Sequence, residues 1–330
     1  MDTLFQIARW ADIIVVGRKD QADFYAMWGG IREFFNIPIV IDTDDNVRFV
    51  RPTNPGYSGY FPGSEALVWN KYGMARVFDA VTVSTQELVD VHKKECPKIY
   101  VLPNNLDVKE WNNKVRHVFD DGFTTLAFIG SSAHHEGVQI IKKPVLDIMQ
   151  KYPKTKFLIT HVYSQHLSSF PADIKPMIEY VPWIPLEQWP ADTKKLGIDI
   201  GLAPLADNMF NRAKSNLRWM EYSMAHISPI VSPVKAYDCV EDGKTGLVAK
   251  EQKDWFNAME KLITDKQIRR DIADNAYNKV STAYNIDLNI ELWNNTYKEI
   301  CNKFHEYWGK KKEFISLGNG KFQEIHKRRI

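Results

Sequence analysis

The sequence predicts an α/β protein built on two doubly wound parallel sheets. Short apolar runs bounded by turn residues alternate with longer amphipathic stretches, the mark of parallel strands joined by crossover helices. A polar stretch after Trp111, NNKVRHVFDDG, splits this alternation into two series. The length of 330 residues agrees, since a domain takes roughly 150.

In the first series, strands are read at 12–16 (DIIVV), 37–42 (IPIVID), 80–84 (AVTVS) and 98–102 (KIYVL), with helices at about 21–35, 64–77 and 85–94 between them. No strand and glycine-rich turn precede Asp12, so this domain is read as lacking its first strand. Residues 47–63, VRFVRPTNPGYSGYFPG, are dense in Pro, Gly and aromatics and read as a long functional loop rather than regular structure. The second series has strands at 124–130, 156–160, 179–183, 198–203, 229–232 and 246–249, alternating with helices near 137–151, 186–196, 214–225 and 254–264. Residues 266–308 are almost continuously helical in pattern, and a basic tail follows. The expected division is 1–115, 116–285, and 286–330 as a helix returning to the first domain plus that tail. Parallel sheets take ligands outside the carboxyl ends of their strands, so two such domains are expected to face each other across a ligand cleft.

Composition narrows the classes. With 44% hydrophobic and 12% aromatic residues the chain has enough apolar surface to fold by itself. Lys and Arg total 43 against 41 Asp and Glu, which gives no whole-chain reason for a polyanionic partner. The excess sits in the tail: Lys310, Lys311, Lys312, Lys321, Lys327, Arg328 and Arg329 against Glu313 and Glu324. The three cysteines, Cys96, Cys239 and Cys301, have neither metal-ligand nor disulfide spacing, which suits a reducing compartment. No apolar run approaches the roughly 20 residues of a membrane span, and no secretory signal opens the sequence. A cytoplasmic location is expected, with the tail offering peripheral contact at the inner membrane face.

The densest chemistry lies in 199–231, DIGLAPLADNMFNRAKSNLRWMEYSMAHISPIV. A buried strand ends at Pro204 and a helix is expected from Lys214, with Ser215 and Asn216 in its first turn. Orphan N–H groups at a helix start bind phosphate. The dipole contributes only about 0.3–1 kcal/mol, so cations are needed as well, and Lys214 and Arg212 are available. Glu221 follows Lys214 by two helical turns on roughly the same face, where a carboxylate can accept from ribose hydroxyls. A solvated helix capped by Ser215 accounts for the same spacing.

The strand DIGLAPL, the helix KSNLRWMEY and the following SPIVSPV resemble the donor-nucleotide motif of the family 4 glycosyltransferases and their relatives, which have two Rossmann-like domains (the GT-B fold). AVTVSTQEL at 80–88, YVLPNNLD at 100–107, AFIGSSAHHEG at 127–137 and DGKTGLVA at 242–249 match further family stretches in the family's order, so the resemblance spans roughly residues 10–300. It implies transfer of a sugar from a UDP- or GDP-linked donor to an acceptor hydroxyl with retention of configuration, with no further cofactor. Lys214 is implied at the diphosphate, Glu221 at the ribose, and Gly130, Ser131 and Ser132 at the phosphate-facing loop. The family's earlier Glu, eight positions before the ribose-binding one, is replaced by Ala213, with Asp207 and Asn208 as substitutes.

Other residues keep two readings. Asp44 and Asp45, after the strand ending at Asp42, could orient the acceptor or stabilise the cationic sugar; an Asx turn or a Mg²⁺ site uses the same carboxylates. His134, and less so His135, could donate to a phosphate or be a solvated loop histidine. Trp183 flanks the base or packs in the core. Arg48, Arg51, Tyr57, Tyr60 and Phe61 suit an acceptor surface or a self-anchored loop. The acceptor is expected to be a saccharide or lipid-linked saccharide. A hydroxymethylated DNA base, reached through the basic tail, and a noncatalytic sugar-nucleotide-binding protein are the alternatives. A nicotinamide enzyme is disfavoured, because no G-x-G-x-x-G follows a strand.

Overall fold

The computed structural model describes residues 2–96, 98–114, 121–160, 165, 167–168, 170–318 and 321–325. The chain forms two compact units, Met1–Arg48 with Gly59–Pro103 and Ile290–Ile330, and Phe49–Ser58 with Asn104–Asn289.

The first unit holds α1 (Asp2–Trp10), β1 (Ile14–Gly17), α2 (Ala22–Phe35), β2 (Ile39–Thr43), α4 (Glu65–Arg76), β3 (Ala80–Val83), α5 (Gln86–His92) and β4 (Ile99–Val101); a single turn, α3 (Tyr57–Tyr60), leads into α4. Its four strands are parallel and adjacent in chain order. They are nearly wholly apolar because helices cover them: Ile39, Val40, Ile41, Val81 and Val83 are fully buried. The helix α1 carries no signal in the sequence reading; Phe5 anchors it on the rings of Phe34 and Phe35, at 5.3 and 5.2 Å. The closing turn of this helix at Ala11 delays the first strand to Ile14.

One carboxylate organises this unit. Asp20, almost buried, accepts from Arg18 (2.7 Å), Tyr25 (2.7 Å), Tyr60 (3.1 Å) and Asn70 (3.1 Å). Tyr60 is therefore an anchor of the 47–63 loop, as is Arg48, which pairs with Glu95 at 2.9 Å and donates to the Val91 carbonyl. Tyr25 in turn lies so close to Gly73 that a Cβ there would clash with its ring.

The second unit comprises α6 (Val108–Asn112), β5 (Thr124–Phe128), α7 (His135–Lys151), β6 (Thr155–Thr160), β7 (Ile178–Val181), α8 (Trp189–Lys195), β8 (Ile200–Ala203), α9 (Met209–Arg212), α10 (Leu217–Met224), β9 (Ser228–Val231), β10 (Leu247–Val248), α11 (Gln252–Thr264) and α12 (Lys266–Ala283). Its six parallel strands run β10-β9-β8-β5-β6-β7, so the chain reverses its direction of growth between β5 and β8. Alternate residues of the strands feed two cores. Leu126 and Phe128 pack with α7 and α11, through Val145 and Trp255, while Ala127 and Ile129 pack with α10, through Trp219 and Tyr222. The unit begins at Asn104, earlier than the polar stretch after Trp111, because Val108 and Trp111 of α6 are buried in the second of these cores. Residues 115–120 of that stretch lie outside the described ones.

The last helix, α13 (Ile286–Trp308), enters the first unit at Ile290. Ile300 is buried against Val40 and Ala80, and Phe304 and Trp308 lie over the Arg32 guanidinium, which forks onto Asp79. Part of the basic tail forms an antiparallel hairpin, β11 (Glu313–Gly318) with β12 (Lys321–Ile325). Lys311 is engaged by the carbonyls of Arg9 and Ala11, at 2.8 and 2.5 Å, so it is not an idle tail cation. Lys327, Arg328 and Arg329 lie outside the described residues. Among the described residues no helix is long and apolar enough to cross a membrane.

Removing a buried, multiply bonded carboxylate strands its partners without acceptors. Asp20→Ala is therefore expected to cost about 3–5 kcal/mol of the first unit's stability, checked by urea unfolding; a loss under about 1 kcal/mol would contradict this role.

Candidate functional site

A cavity of about 360 Å³ opens at the carboxyl ends of β5, β6 and β7, entirely within the second unit. Such a volume takes a small organic ligand. Gly130 and Ser131 follow β5, Thr160 ends β6, and Pro182, Trp183 and Ile184 follow β7; Leu186, Trp189 and the α10 residues Leu217, Arg218 and Glu221 complete the wall.

The strand ends fix this wall by hydrogen bonding and by close approach. The Gly130 N–H donates to Thr160 Oγ1 at 2.9 Å. A Cβ on Gly130 would stand 2.9 Å from both terminal nitrogens of Arg218, so glycine is what lets the guanidinium lie against the β5 turn. That guanidinium also sits 5.6 Å from the centre of the Phe128 ring. Arg218 and Glu221 are one helical turn apart on α10, so cation and carboxylate share one face.

The electrostatics follow from enclosure. Burial pushes the Glu221 carboxyl up to about 7, against the opposing pulls of the Arg218 charge and the Trp189 ring N–H. Burial, then the charges of Arg218 and Lys214, hold His134 well below the ordinary imidazole range, so its ring is neutral near pH 7.

Of the residues expected from the sequence, Gly130, Ser131, His134, Trp183 and Glu221 line this cavity. Trp183 is not a core residue: β7 stops at Val181, and the indole is 78% exposed at the rim. Ser132 opens the single turn that precedes α7; its side chain lies outside the described ones. Lys214 does not line the cavity; its ammonium lies 4.6 Å from the centre of the Phe210 ring and close enough to bias His134.

The helix start differs from expectation. Asn208 caps a separate short turn, α9, by accepting from the Asn211 N–H, and α10 begins only at Leu217. Lys214, Ser215 and Asn216 therefore precede the helix rather than form its first turn. Ser215 accepts from Asn104 at 2.9 Å, and Asn216 donates to Cys239 Sγ at 3.2 Å. Asn208 also donates to Glu136 at 3.0 Å. None of these three lines the cavity. Arg212 is exposed and held in a fork by Asp207, at 2.5 and 2.9 Å, which removes it from the site.

Asp44 and Asp45 belong to the first unit, just after β2. The neighbouring Asp42 accepts from Thr82 at 2.6 Å, and burial, with Asp44 adding to it, raises its carboxyl. Arg51 pairs with Glu136 at 3.2 Å, and Thr53 donates to the same carboxylate at 2.6 Å, so this part of the loop is bound within the second unit.

Sequence reasoning missed Arg218, Thr160, Ile184, Leu186 and Trp189. Arg218 was legible in principle, since it precedes Glu221 by three positions on the same helix face.

No protein-family model matches the sequence, and no curated protein matches it. Among solved structures, the chain is similar to HepE of Anabaena in complex with UDP and glucose (TM-score 0.65, 13% identity, 89% of this chain and 80% of that one). It is also similar to the sucrose-phosphate synthase of Thermosynechococcus elongatus (0.62, 13%, 92% and 77%). A third likeness is to the pneumococcal O-GlcNAc transferase GtfA in complex with UDP and GlcNAc (0.62, 13%, 90% and 59%). At such identity the likeness is one of fold, and it gives this chain the two-domain Rossmann-like GT-B architecture that the sequence resemblance implies.

The Glu221 carboxyl keeps its proton in the folded state at pH values where the unfolded chain has lost it. It therefore favours folding at acid pH, and this contribution is lost as pH rises through 7. Glu221→Gln is expected to be less sensitive to that rise than the wild type, by on the order of 2 kcal/mol between about pH 5 and 8, read from urea midpoints across pH. Parallel profiles for the two proteins would contradict the burial of this carboxyl.

Proposed function

We propose that the chain is a glycosyltransferase that moves a sugar from a uridine diphosphate sugar to an acceptor hydroxyl. The observation that carries this reading is the pairing of Arg218 and Glu221 on one face of α10, at a cavity outside the carboxyl ends of the second sheet. The structural neighbours add support: HepE was solved with UDP and glucose, and GtfA with UDP and GlcNAc.

In this reading the ribose hydroxyls donate to Glu221, and Trp183 at the rim flanks the base. The diphosphate lies against Arg218 and the Gly130–Ser131 turn, with Lys214 adding positive charge nearby. As the bond from the sugar's anomeric carbon to the diphosphate oxygen lengthens, negative charge grows on the leaving group and positive charge on the sugar. Preorganised cations lower that barrier. His134, being neutral, can donate one ring N–H to a phosphate oxygen without adding charge.

Glu221 is the one carboxylate among the described residues lining this cavity, and it is committed to the ribose. We therefore favour attack by the acceptor on the face the diphosphate leaves, with the acceptor proton passing to the departing phosphate oxygen. That course retains the anomeric configuration. A saccharide hydroxyl is the acceptor we favour.

Release of free nucleoside diphosphate from a panel of UDP- and GDP-sugars tests the reading without knowledge of the acceptor. Arg218→Ala is expected to lower kcat/KM about 10²–10³-fold, with a smaller loss for Lys214→Ala. Arg212→Ala, whose exposed pair lies outside the cavity, is expected to stay within about threefold of the wild type. Wild-type turnover by Arg218→Ala would sink the proposal. Tight nucleotide binding without hydrolysis would identify a binding protein instead.

A further inference from the structure

The cavity wall contains a polar group that the proposed reaction has not used. Trp189 opens α8, and its indole packs beside Ile184 and Leu196 on the core shared with α10. The ring nitrogen is screened from water and makes no well-formed hydrogen bond, the Glu221 carboxylate being the acceptor on which it acts. A buried donor whose bond is imperfectly formed is costly, and a small shift of the carboxylate beside it completes the bond. Trp189 borders the cavity together with Glu221, the carboxylate on which its N–H acts.

We propose that Trp189 is a positioning residue of the nucleotide site, its indole N–H fixing one oxygen of the Glu221 carboxylate so that the other receives the ribose hydroxyls. The proposal rests on the nucleotide reading above and adds a residue to it. The chemistry is directional. An N–H donor stabilises the ionised carboxylate, and the ionised form is the one that accepts two hydroxyl donors. Without the donor, Glu221 in its buried setting keeps its proton to higher pH and offers the ribose a poorer acceptor. The other charged or titratable groups acting on this carboxylate are Arg218 on its own helix and Tyr237 and Tyr222, with His134 across the cavity. Burial raises both tyrosines, and His134 is held neutral, so none of the three changes charge between about pH 6 and 8.

Trp189→Phe keeps an aromatic ring in the wall and removes only the donor. UDP binding measured calorimetrically from about pH 5.5 to 8.5 is expected to strengthen through neutrality in the wild type. In Trp189→Phe it is expected to be about tenfold weaker at pH 7, with its midpoint about one pH unit higher. In a Glu221→Gln background the same substitution is expected to change affinity less than about twofold. The Glu221 titration itself, followed in the ligand-free protein by carboxyl carbon NMR, is expected to move upward with the substitution. An unmoved carboxyl titration, or a loss undiminished in the Glu221→Gln background, overturns the proposal even where UDP binds. Failure of the wild-type protein to bind UDP overturns instead the nucleotide reading on which it rests.

Discussion

The reversal of chain direction between β5 and β8 is the constraint on which the second unit depends. Growth from β5 goes to β6 and β7 on one side and, after β8, to β9 and β10 on the other. The connections then cover opposite faces of the sheet, α7 with α11 on one and α10 on the other. Two neighbouring strands whose following segments part in this way leave a crevice at their carboxyl ends. Gly130 and the helix bearing Arg218 and Glu221 meet beside that crevice because of strand order, before any particular side chain is chosen.

The side chains then set the electrical character of the place. A Cβ at residue 130 would make the Arg218 guanidinium shift away from the β5 turn, and a half-buried cation without nearby polar partners would be expensive. Glu221 on the next turn offsets that charge in part, yet enclosure still holds its proton to about pH 7. Two cations and the same enclosure keep His134 neutral. The cavity thus holds one fixed positive charge at its wall, a carboxyl near its titration point and an uncharged imidazole. A ligand bringing negative charge at one end and hydroxyl donors at the other complements that distribution.

Much of this was legible because strands buried on both faces have a simple signature. Runs such as those of β2, β5 and β8 read as strands from their continuous apolar composition, and the turns after β5 and β7 exposed Gly130, His134 and Trp183 as candidates. Glu221 was legible from its spacing in an amphipathic segment. The stretch between β8 and α10 was not. Its Asn, Asp and Ser residues can each cap a helix or close a turn, and the choice was made by contacts remote in sequence: Asn208 with Glu136, and Ser215 with Asn104. Arg212 reads from the sequence as a phosphate-binding cation, and it is the Asp207 carboxylate holding it outside the cavity that rules this out. Trp189 gave no signal, because a tryptophan in an amphipathic segment reads as packing, and only the unmet ring N–H distinguishes it.

The segment Phe49–Ser58 is an inlay, belonging to the second unit while the chain on either side belongs to the first. Its Thr53 and Arg51 both terminate on Glu136, at the start of α7 and two positions from His134. Any recombinant dissection of this chain meets that fact. A fragment cut at Asn104 and Asn289 would leave Glu136 stripped of those two donors, while a fragment ending at Pro103 would bare the Arg32 surface that Phe304 and Trp308 cover. The two halves are stitched rather than strung, so isolating either one calls for splicing distant pieces of sequence together.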